Sequence, residues 1–175
     1  VVPLCGWQRI GLVRDARCVY FVTPEAESIQ ALEAQTGQLA WEQPRGDGLY
    51  LGGLVGGKLL IVGERSLKGL DPETGNVAWQ RPIDRPSGIG IVRGNEYLLP
   101  LGSGSVVLVD GATGKSLRGA QGNQAPLGNL VQGAGVLVSL TPQRLEVYGA
   151  WETEHQELLT RLMRRPDDPE LLTRL

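Results

Sequence analysis

The sequence predicts a mostly β fold built from repeated four-stranded antiparallel units, and three observations favour it. Glycine accounts for 25 of the 175 residues, about twice the share usual in globular proteins, and 11 prolines accompany it. Two sequence landmarks recur along the chain at one spacing. Between them lie short apolar runs bounded by turn-forming residues, which is typical of strands joined by tight turns.

The internal repeat is visible in two independent landmarks. The first is a turn in which an acidic residue stands three positions before Thr-Gly, and its copies align without gaps at residues 31–41, 69–79 and 108–118. The Thr-Gly pairs begin at positions 36, 74 and 113, so the spacings are 38 and 39 residues. The second landmark ends in valine at positions 13, 55, 92 and 131, with spacings of 42, 37 and 39. Two landmarks that keep one period indicate a true repeat.

Each unit divides into four short strands, which in the second unit are predicted at residues 50–55, 59–62, 67–70 and 76–80. Residues 59–62 are apolar throughout, as expected of a strand that is buried on both faces. The turn before the fourth strand has a chemical basis, because Asp71 can accept hydrogen bonds from the following amides and Gly75 supplies positive φ. The first and third units divide in the same way, with second strands at 18–23 and 97–101.

Four strands in roughly 40 residues make one blade of a β-propeller. The sequence therefore predicts a partial propeller over residues 1–149, with three complete blades and one partial blade. The blade repeats lie near residues 9–45, 49–83, 88–120 and 128–149. The last is partial because only three strands are predicted in it, and no Thr-Gly…Trp strand follows.

A short α-helical tail is expected at residues 150–175. All 25 glycines lie at or before Gly149, and the composition changes after it. Trp151, His155, Leu158 and Leu162 then follow at spacings of 4, 3 and 4, which places them on one helix face. The sequence Glu-Leu-Leu-Thr-Arg-Leu occurs at 157–162 and again at 170–175. We expect this tail to be the start of a tetratricopeptide-like array, and the chain to be a fragment of a longer protein.

The repeated pattern Ala-x-Asp-x-x-Thr-Gly-x-x-x-Trp resembles the blade signature of the PQQ-like, or quinoprotein-dehydrogenase-like, β-propellers. The first unit has Glu33 in place of the aspartate, the second has Gly69 in place of the alanine, and the third ends in Arg118. The resemblance implies that the signature residues are structural and that its tryptophans are largely buried between neighbouring blades. The residues that carry the repeat signature are Glu33, Thr36, Gly37, Trp41, Asp71, Thr74, Gly75, Trp79, Asp110, Thr113 and Gly114.

Charge and cysteine content exclude several function classes. With 17 basic and 19 acidic residues, the chain lacks the basic excess that binding of nucleic acid requires. No apolar run approaches the ~20 residues of a membrane-spanning helix, and no signal-peptide pattern is present. Cys5 and Cys18 are 13 residues apart, which permits but does not require a disulfide, so the redox state of the two thiols stays open. Cys18 begins an apolar run, which favours a buried thiol.

No catalytic, cofactor-binding or metal-binding residue is predicted. His155 is the only histidine, and no serine or cysteine motif accompanies it to form a catalytic triad. No spacing indicates a zinc or calcium site. Catalytic members of the resembled family have an adjacent cysteine pair, a tryptophan under the quinone and oxygen ligands for calcium, and this chain lacks the cysteine pair. No cofactor is therefore expected, with PQQ and calcium as the alternative.

Two function classes remain, both implied by the resemblance. The first, which we favour, is a non-catalytic propeller scaffold for protein–protein interaction in an assembly of the periplasm or cell envelope of a bacterium. The alternative is part of a PQQ-dependent dehydrogenase whose active site is completed by blades outside this chain. An open arc of blades exposes apolar faces at both ends. We therefore expect protein partners, either missing blades of the same protein or a second copy of the chain.

Overall fold

The computed structural model describes residues 11–22, 27–120, 125–133 and 135–149, which form fifteen β-strands. The first sheet consists of β1 (Gly11–Arg14), β2 (Cys18–Val22), β3 (Ser28–Glu33) and β4 (Leu39–Pro44). The second consists of β5 (Gly48–Val55), β6 (Lys58–Gly63), β7 (Ser66–Leu70) and β8 (Val77–Pro82). The third consists of β9 (Ile91–Arg93), β10 (Glu96–Pro100), β11 (Val106–Asp110) and β12 (Ser116–Ala120). The fourth has three strands, β13 (Asn129–Gly133), β14 (Val136–Leu140) and β15 (Leu145–Gly149).

The predicted fold class requires a correction, because it included an α-helical tail. The part of the chain that the structure describes is β throughout, with four antiparallel sheets and no helix. The tail was expected at residues 150–175, which lie outside the described residues. That expectation rested on local signals in the sequence, namely the change in composition after Gly149, helical periodicity and a repeated hexapeptide.

Each sheet is a simple antiparallel meander in which strands that are neighbours in sequence are also neighbours in space. The first strands of the four sheets contact one another in turn: β1 contacts β5, β5 contacts β9, and β9 contacts β13. These strands therefore form a common inner edge, and the fourth strands of the three complete sheets lie at the outer edge. This is the arrangement of propeller blades.

The second sheet is buried on both of its faces. Along β6, Leu59 and Ile61 belong to the core shared with the first sheet, whereas Leu60 and Val62 belong to the core shared with the third. These four side chains are at most 2% exposed, as expected from their uninterrupted apolar run. The described residues therefore form two apolar cores, one between each pair of adjacent complete sheets.

A β-bulge recurs at one position of the repeat. The pairing between the third and fourth strands shifts register at Ala31/Leu32, at Gly69/Leu70 and at Leu108/Val109. Each shift comes one or two residues before the acidic turn residue. A bulge bends its strand and increases the local twist. The repeat therefore copies this bend along with the turn that follows it.

The fourth sheet exposes an apolar face. Val131 pairs with Val138, Val138 pairs with Val147, and Leu140 pairs with Leu145. In this set Val131, Leu140, Leu145 and Val147 are all exposed, by 49–65%. On the first sheet Leu12 is 62% exposed. Both ends of the row of sheets thus carry exposed apolar side chains.

Candidate functional site

The signature residues build one turn three times, and the third sheet shows its geometry most clearly. The carboxylate of Asp110 accepts a hydrogen bond from the Thr113 backbone N–H at 2.8 Å and another from the Thr113 hydroxyl at 2.6 Å. The N–H of Gly114 donates to the Asp110 carbonyl at 2.8 Å, and Gly114 has a φ of 71°. The hydrogen bonds from Thr113 lower the pKa of Asp110. One oxygen of this carboxylate, Oδ1, therefore closes the turn.

The other two turns repeat this arrangement. Gly75 and Gly37 donate to the carbonyls of Asp71 and Glu33, each at 2.8 Å, with φ values of 74° and 70°. The Thr36 hydroxyl donates to the Glu33 carboxylate at 2.7 Å. Partial burial raises the pKa of Asp71. The hydrogen bonds from the Glu73 and Thr74 backbone N–H groups and the ammonium of Lys58 at 3.5 Å outweigh this effect, so the pKa is lowered. Each of the three turns is therefore closed by an acidic residue, a threonine and a glycine.

Each signature tryptophan docks on the turn of the following sheet. The indole N–H of Trp41 donates to the Pro72 carbonyl at 2.9 Å, and that of Trp79 donates to the Gly111 carbonyl at 3.0 Å. In both cases the acceptor is the residue after the turn aspartate. The Trp41 ring lies against Gly75, where an added methyl group would be 2.6 Å from the ring. The ring of Trp79 covers Gly114 so closely that a methyl group there would overlap it.

The two tryptophans differ in burial. Trp41 is 8% exposed, and its ring packs against that of Tyr20 with centroids 5.8 Å apart. Trp79 is only partly buried. Trp41 is therefore buried as expected, whereas Trp79 packs against the core between the second and third sheets with part of its ring exposed. Arg118 pairs with Leu108 in the tryptophan position of the third sheet, and its side chain lies outside the described part.

Residues around the turns add contacts that the sequence pattern did not reveal. The Tyr20 hydroxyl lies 2.8 Å from the Asp15 carboxylate and 3.2 Å from the Pro72 carbonyl, beside the indole of Trp41. Arg81, two residues after Trp79, donates from Nη1 to the Gly114 carbonyl at 3.1 Å. No periodic signal marks Asp15 or Tyr20. The sequence signal nearest to Arg81 is the tryptophan that recurs at positions 41 and 79, each followed by Glu or Gln. It marks the strand but does not identify these contacts.

Asp47 is the centre of a polar cluster that the sequence did not indicate. It accepts hydrogen bonds from the Ser66 hydroxyl at 2.7 Å and the Arg65 N–H at 3.2 Å, and the ammonium of Lys68 lies 3.2 Å away. Burial raises the pKa of Asp47, but these three partners outweigh it and the pKa is lowered. The cluster ties the connection between the first and second sheets to the turn between β6 and β7.

Tyr97, which is buried, and Tyr50, which is partly buried, lie between the second and third sheets. The Tyr50 hydroxyl donates to the Gly88 carbonyl at 3.0 Å. The Tyr97 hydroxyl makes no hydrogen bond of good geometry with any described residue. Burial raises the pKa of Tyr97 and also that of Tyr50, to about 12. Both phenols therefore stay protonated at neutral pH and do not act as bases.

The described residues do not fit a site for PQQ and calcium. Calcium takes several oxygen ligands, mostly from carboxylates and carbonyls. The carboxylates of Asp71 and Asp110 instead close their own turns, and no three His, Cys, Asp or Glu side chains gather elsewhere in the described ranges. Trp41 and Trp79 are held by blade-to-blade hydrogen bonds rather than lining a pocket. Cys18 is a buried free thiol, and Cys5 lies outside the described residues.

Comparison with known proteins agrees with this geometry. The family model described as "Outer membrane protein assembly factor BamB" matches residues 19–139. The chain belongs to this family. The PQQ-like β-propeller repeat predicted from the sequence is thereby confirmed. No curated protein sequence matches the chain.

Three solved structures share the fold. BamB from Moraxella catarrhalis is 19% identical, with a TM-score of 0.65 over 80% of this chain and 46% of that protein. The computationally designed protein Ika4 is 16% identical, with a TM-score of 0.64 over 80% of this chain and 89% of the designed one. The designed protein Ika8 is 17% identical, with a TM-score of 0.59 over 80% of this chain and 45% of its own length. The chain thus spans about half the length of that BamB. Within the described ranges, no helix is long and apolar enough to cross a membrane.

Proposed function

We propose that this chain is a non-catalytic propeller scaffold that holds protein partners during assembly of the bacterial outer membrane. The observation that carries the proposal is the family match over residues 19–139, which covers the blades themselves. The description of that family names an outer membrane protein assembly factor. By this kinship we place the chain in the periplasm or at the cell envelope.

The chemistry of the repeat supports a scaffold. The polar signature groups are used to join one blade to the next, through the bonds from Trp41 to Pro72 and from Trp79 to Gly111. Such contacts make a rigid curved surface, and repeat proteins use surfaces of this kind to bind partners. The scaffold proposal includes the absence of a quinone cofactor, since the carboxylates of Asp71 and Asp110 accept hydrogen bonds within their own turns.

The partners that we propose are proteins. They include further blades of the same protein or a second copy of the chain, because apolar side chains are exposed on the first and fourth sheets. Exposed apolar patches of this kind mark interaction surfaces. Light scattering on the isolated chain tests this part. The proposal expects the chain to self-associate, and it expects Val147→Asp to abolish this association while the control Leu49→Asp preserves it. A stable monomer with both faces bare would contradict the proposal.

The assembly function is tested by deleting the gene in its own bacterium and measuring the folded fraction of outer-membrane proteins. Folded barrels migrate differently from heated ones on a denaturing gel, so the fraction can be read directly. We expect that fraction to fall and to be restored by the wild-type gene. Unchanged levels of folded outer-membrane proteins would contradict the proposal.

The alternative activity has its own assay. Purified protein is incubated with PQQ and calcium, and the quinone absorbance and dehydrogenase activity are recorded. The scaffold proposal expects neither a retained quinone after dialysis nor turnover of an alcohol. Retained quinone together with turnover would refute the proposal of a non-catalytic scaffold.

A further inference from the structure

The first sheet turns away from the second sheet a face whose pattern is that of a buried face elsewhere in the molecule. Strand pairing places Val19 opposite Leu32 on this outward face, as it places Leu59 opposite Leu70 in the second sheet. Leu59 and Leu70 are buried in the core that the second sheet shares with the first. Leu12 lies on the outward face of the first sheet and is 62% exposed. The described residues form no core on this side of the first sheet.

The fourth sheet also has an apolar outward face, at the other end of the row of sheets. Ser139 is fully buried, and successive residues of a strand point to opposite faces, so Val138 and Leu140 lie on the outward face. Their partners on β15 are Val147 and Leu145, which are 58% and 65% exposed. The outward face is therefore apolar across two paired strands.

The two outward faces lie at opposite ends of one chain and face no sheet of that chain. The first and fourth sheets share no apolar core among the described residues, so one copy does not cover its own ends. Two copies arranged head to tail would cover all four ends, because each fourth sheet would pack on the first sheet of the other copy. A head-to-tail contact closes into a ring when its rotation fits and otherwise forms a filament. The chain spans about half of BamB from Moraxella catarrhalis and of Ika8, so the fold accommodates about twice its number of blades.

We propose that the fourth sheet of one copy docks on the first sheet of a second copy, and that two such contacts close a dimer of eight sheets. The inference rests on the proposed scaffold function and names its partner as a second copy of the chain. Each contact repeats the kind of apolar core that the structure contains between the first and second sheets and between the second and third. Because the contact joins two different faces, a substitution on either face alters both contacts of the dimer.

Aspartate substitutions on the two faces test the arrangement. Sedimentation of the whole chain should show a particle of two chains for the wild type. Leu12→Asp and Val147→Asp should each raise the dissociation constant at least about a hundredfold, because an unpaired charge is costly to bury. Val77→Asp is the matched control, since Val77 is 55% exposed on the outer strand β8 and lies on neither end face. This control should dimerise as the wild type does, and circular dichroism should show all three variants folded.

Mixing the two variants identifies the geometry of the contact. A mixed dimer keeps one contact without a substitution, so Leu12→Asp and Val147→Asp together should associate at concentrations at which each alone is monomeric. A wild-type chain that stays monomeric, or one that grows beyond two copies, would overturn the proposal. It would also be overturned by a mixture that stays monomeric, or by association that only Val147→Asp disrupts, which indicates a symmetric contact between two fourth sheets. The folded fraction of outer-membrane proteins after gene deletion does not depend on this contact, so the inference can fail while the assembly function stands.

Discussion

Replacing Trp41 by alanine should strongly destabilise the protein. The side chain is 8% exposed, so the substitution removes almost its whole buried surface. About 200 Å² of apolar area at about 25 cal/mol/Å² corresponds to about 5 kcal/mol as an upper value. Trp→Ala substitutions in cores cost about 3–5 kcal/mol, so we expect a loss in that range.

Trp41→Phe separates the packing of the ring from its hydrogen bond. Phenylalanine can still pack against Tyr20 and Gly75, but it cannot donate to the Pro72 carbonyl. The single proton of the Tyr20 hydroxyl is shared between the Asp15 carboxylate at 2.8 Å and that carbonyl at 3.2 Å, so it does not fully replace the indole donor. We therefore expect Trp41→Phe to cost about 1–3 kcal/mol, less than the alanine variant. Trp79→Ala should also cost less than Trp41→Ala, because Trp79 is only partly buried.

Urea unfolding followed by far-ultraviolet circular dichroism measures these losses without relying on tryptophan emission. The free energy of unfolding is compared among wild type, Trp41→Ala, Trp41→Phe and Trp79→Ala under one set of conditions. If Trp41→Ala unfolds within about 1 kcal/mol of the wild type, the blade-to-blade contact is not a main source of stability. A larger loss for Trp79→Ala than for Trp41→Ala would contradict the ranking by burial.

Three further predictions concern the turns and the buried polar groups. Gly114→Ala should destabilise more than Gly94→Ala, because both have positive φ but only Gly114 is covered by Trp79, and the two melting temperatures should differ by several degrees. The pKa values of Asp15, Asp47, Asp71 and Asp110 are lowered in the folded state, so their stabilisation is complete above about pH 4 and is lost as pH falls through the lowered values. The urea midpoint should therefore be constant from pH 7 to about pH 5 and decrease below about pH 4. The decrease should be less steep in Asp47→Asn, and a constant midpoint down to pH 3 would contradict this reasoning. Tyr50→Phe should lose about 1 kcal/mol with its bond to Gly88, whereas Tyr97→Phe should be unchanged or slightly more stable in the same assay.

The turns were predictable because their chemistry is local. The acidic residue, threonine and glycine lie within five positions, and their hydrogen bonds depend on little outside the turn. The strand at residues 59–62 was also predictable, since an apolar run is a local signal, and the structure extends it by one residue at each end to Lys58–Gly63. The tail rested on a local signal of another kind, helical periodicity, which carries little stability of its own.

Contacts between distant residues were not predictable from the pattern. Asp47 and Ser66 are 19 positions apart, Tyr50 and Gly88 are 38 apart, and none of these four belongs to a repeated landmark. Such pairs depend on how neighbouring sheets are placed, which a period of 38 or 39 residues does not specify. The same limit applies to the short β9, since the backbone of Ile89, two residues before it, bonds to Asn129 and Leu130 of the fourth sheet.

Two of the departures from the repeat signature, Gly69 and Arg118, are related to the pairing of the third and fourth strands. Ala31 lies opposite Trp41 and Gly69 lies opposite Trp79, and a methyl group on Gly69 would overlap the Trp79 ring. A small residue is therefore needed where the partner strand carries tryptophan. In the third sheet Leu108 lies opposite Arg118, so the large residue and the missing tryptophan occur together.

The described contacts between the third and fourth sheets lie near their first strands. The Ile89 N–H donates to the Asn129 side chain at 2.9 Å, and the Leu130 N–H donates to the Ile89 carbonyl at 2.8 Å. The backbone of Gly128 lies so close to Gly88 that it leaves no room for a side chain there. These bonds lie at the inner edge, whereas the tryptophan bonds of the first two junctions come from the outer strands. Among the described residues, the outer-strand hydrogen bond from an indole is therefore found at the two junctions where tryptophan and its small partner occur together.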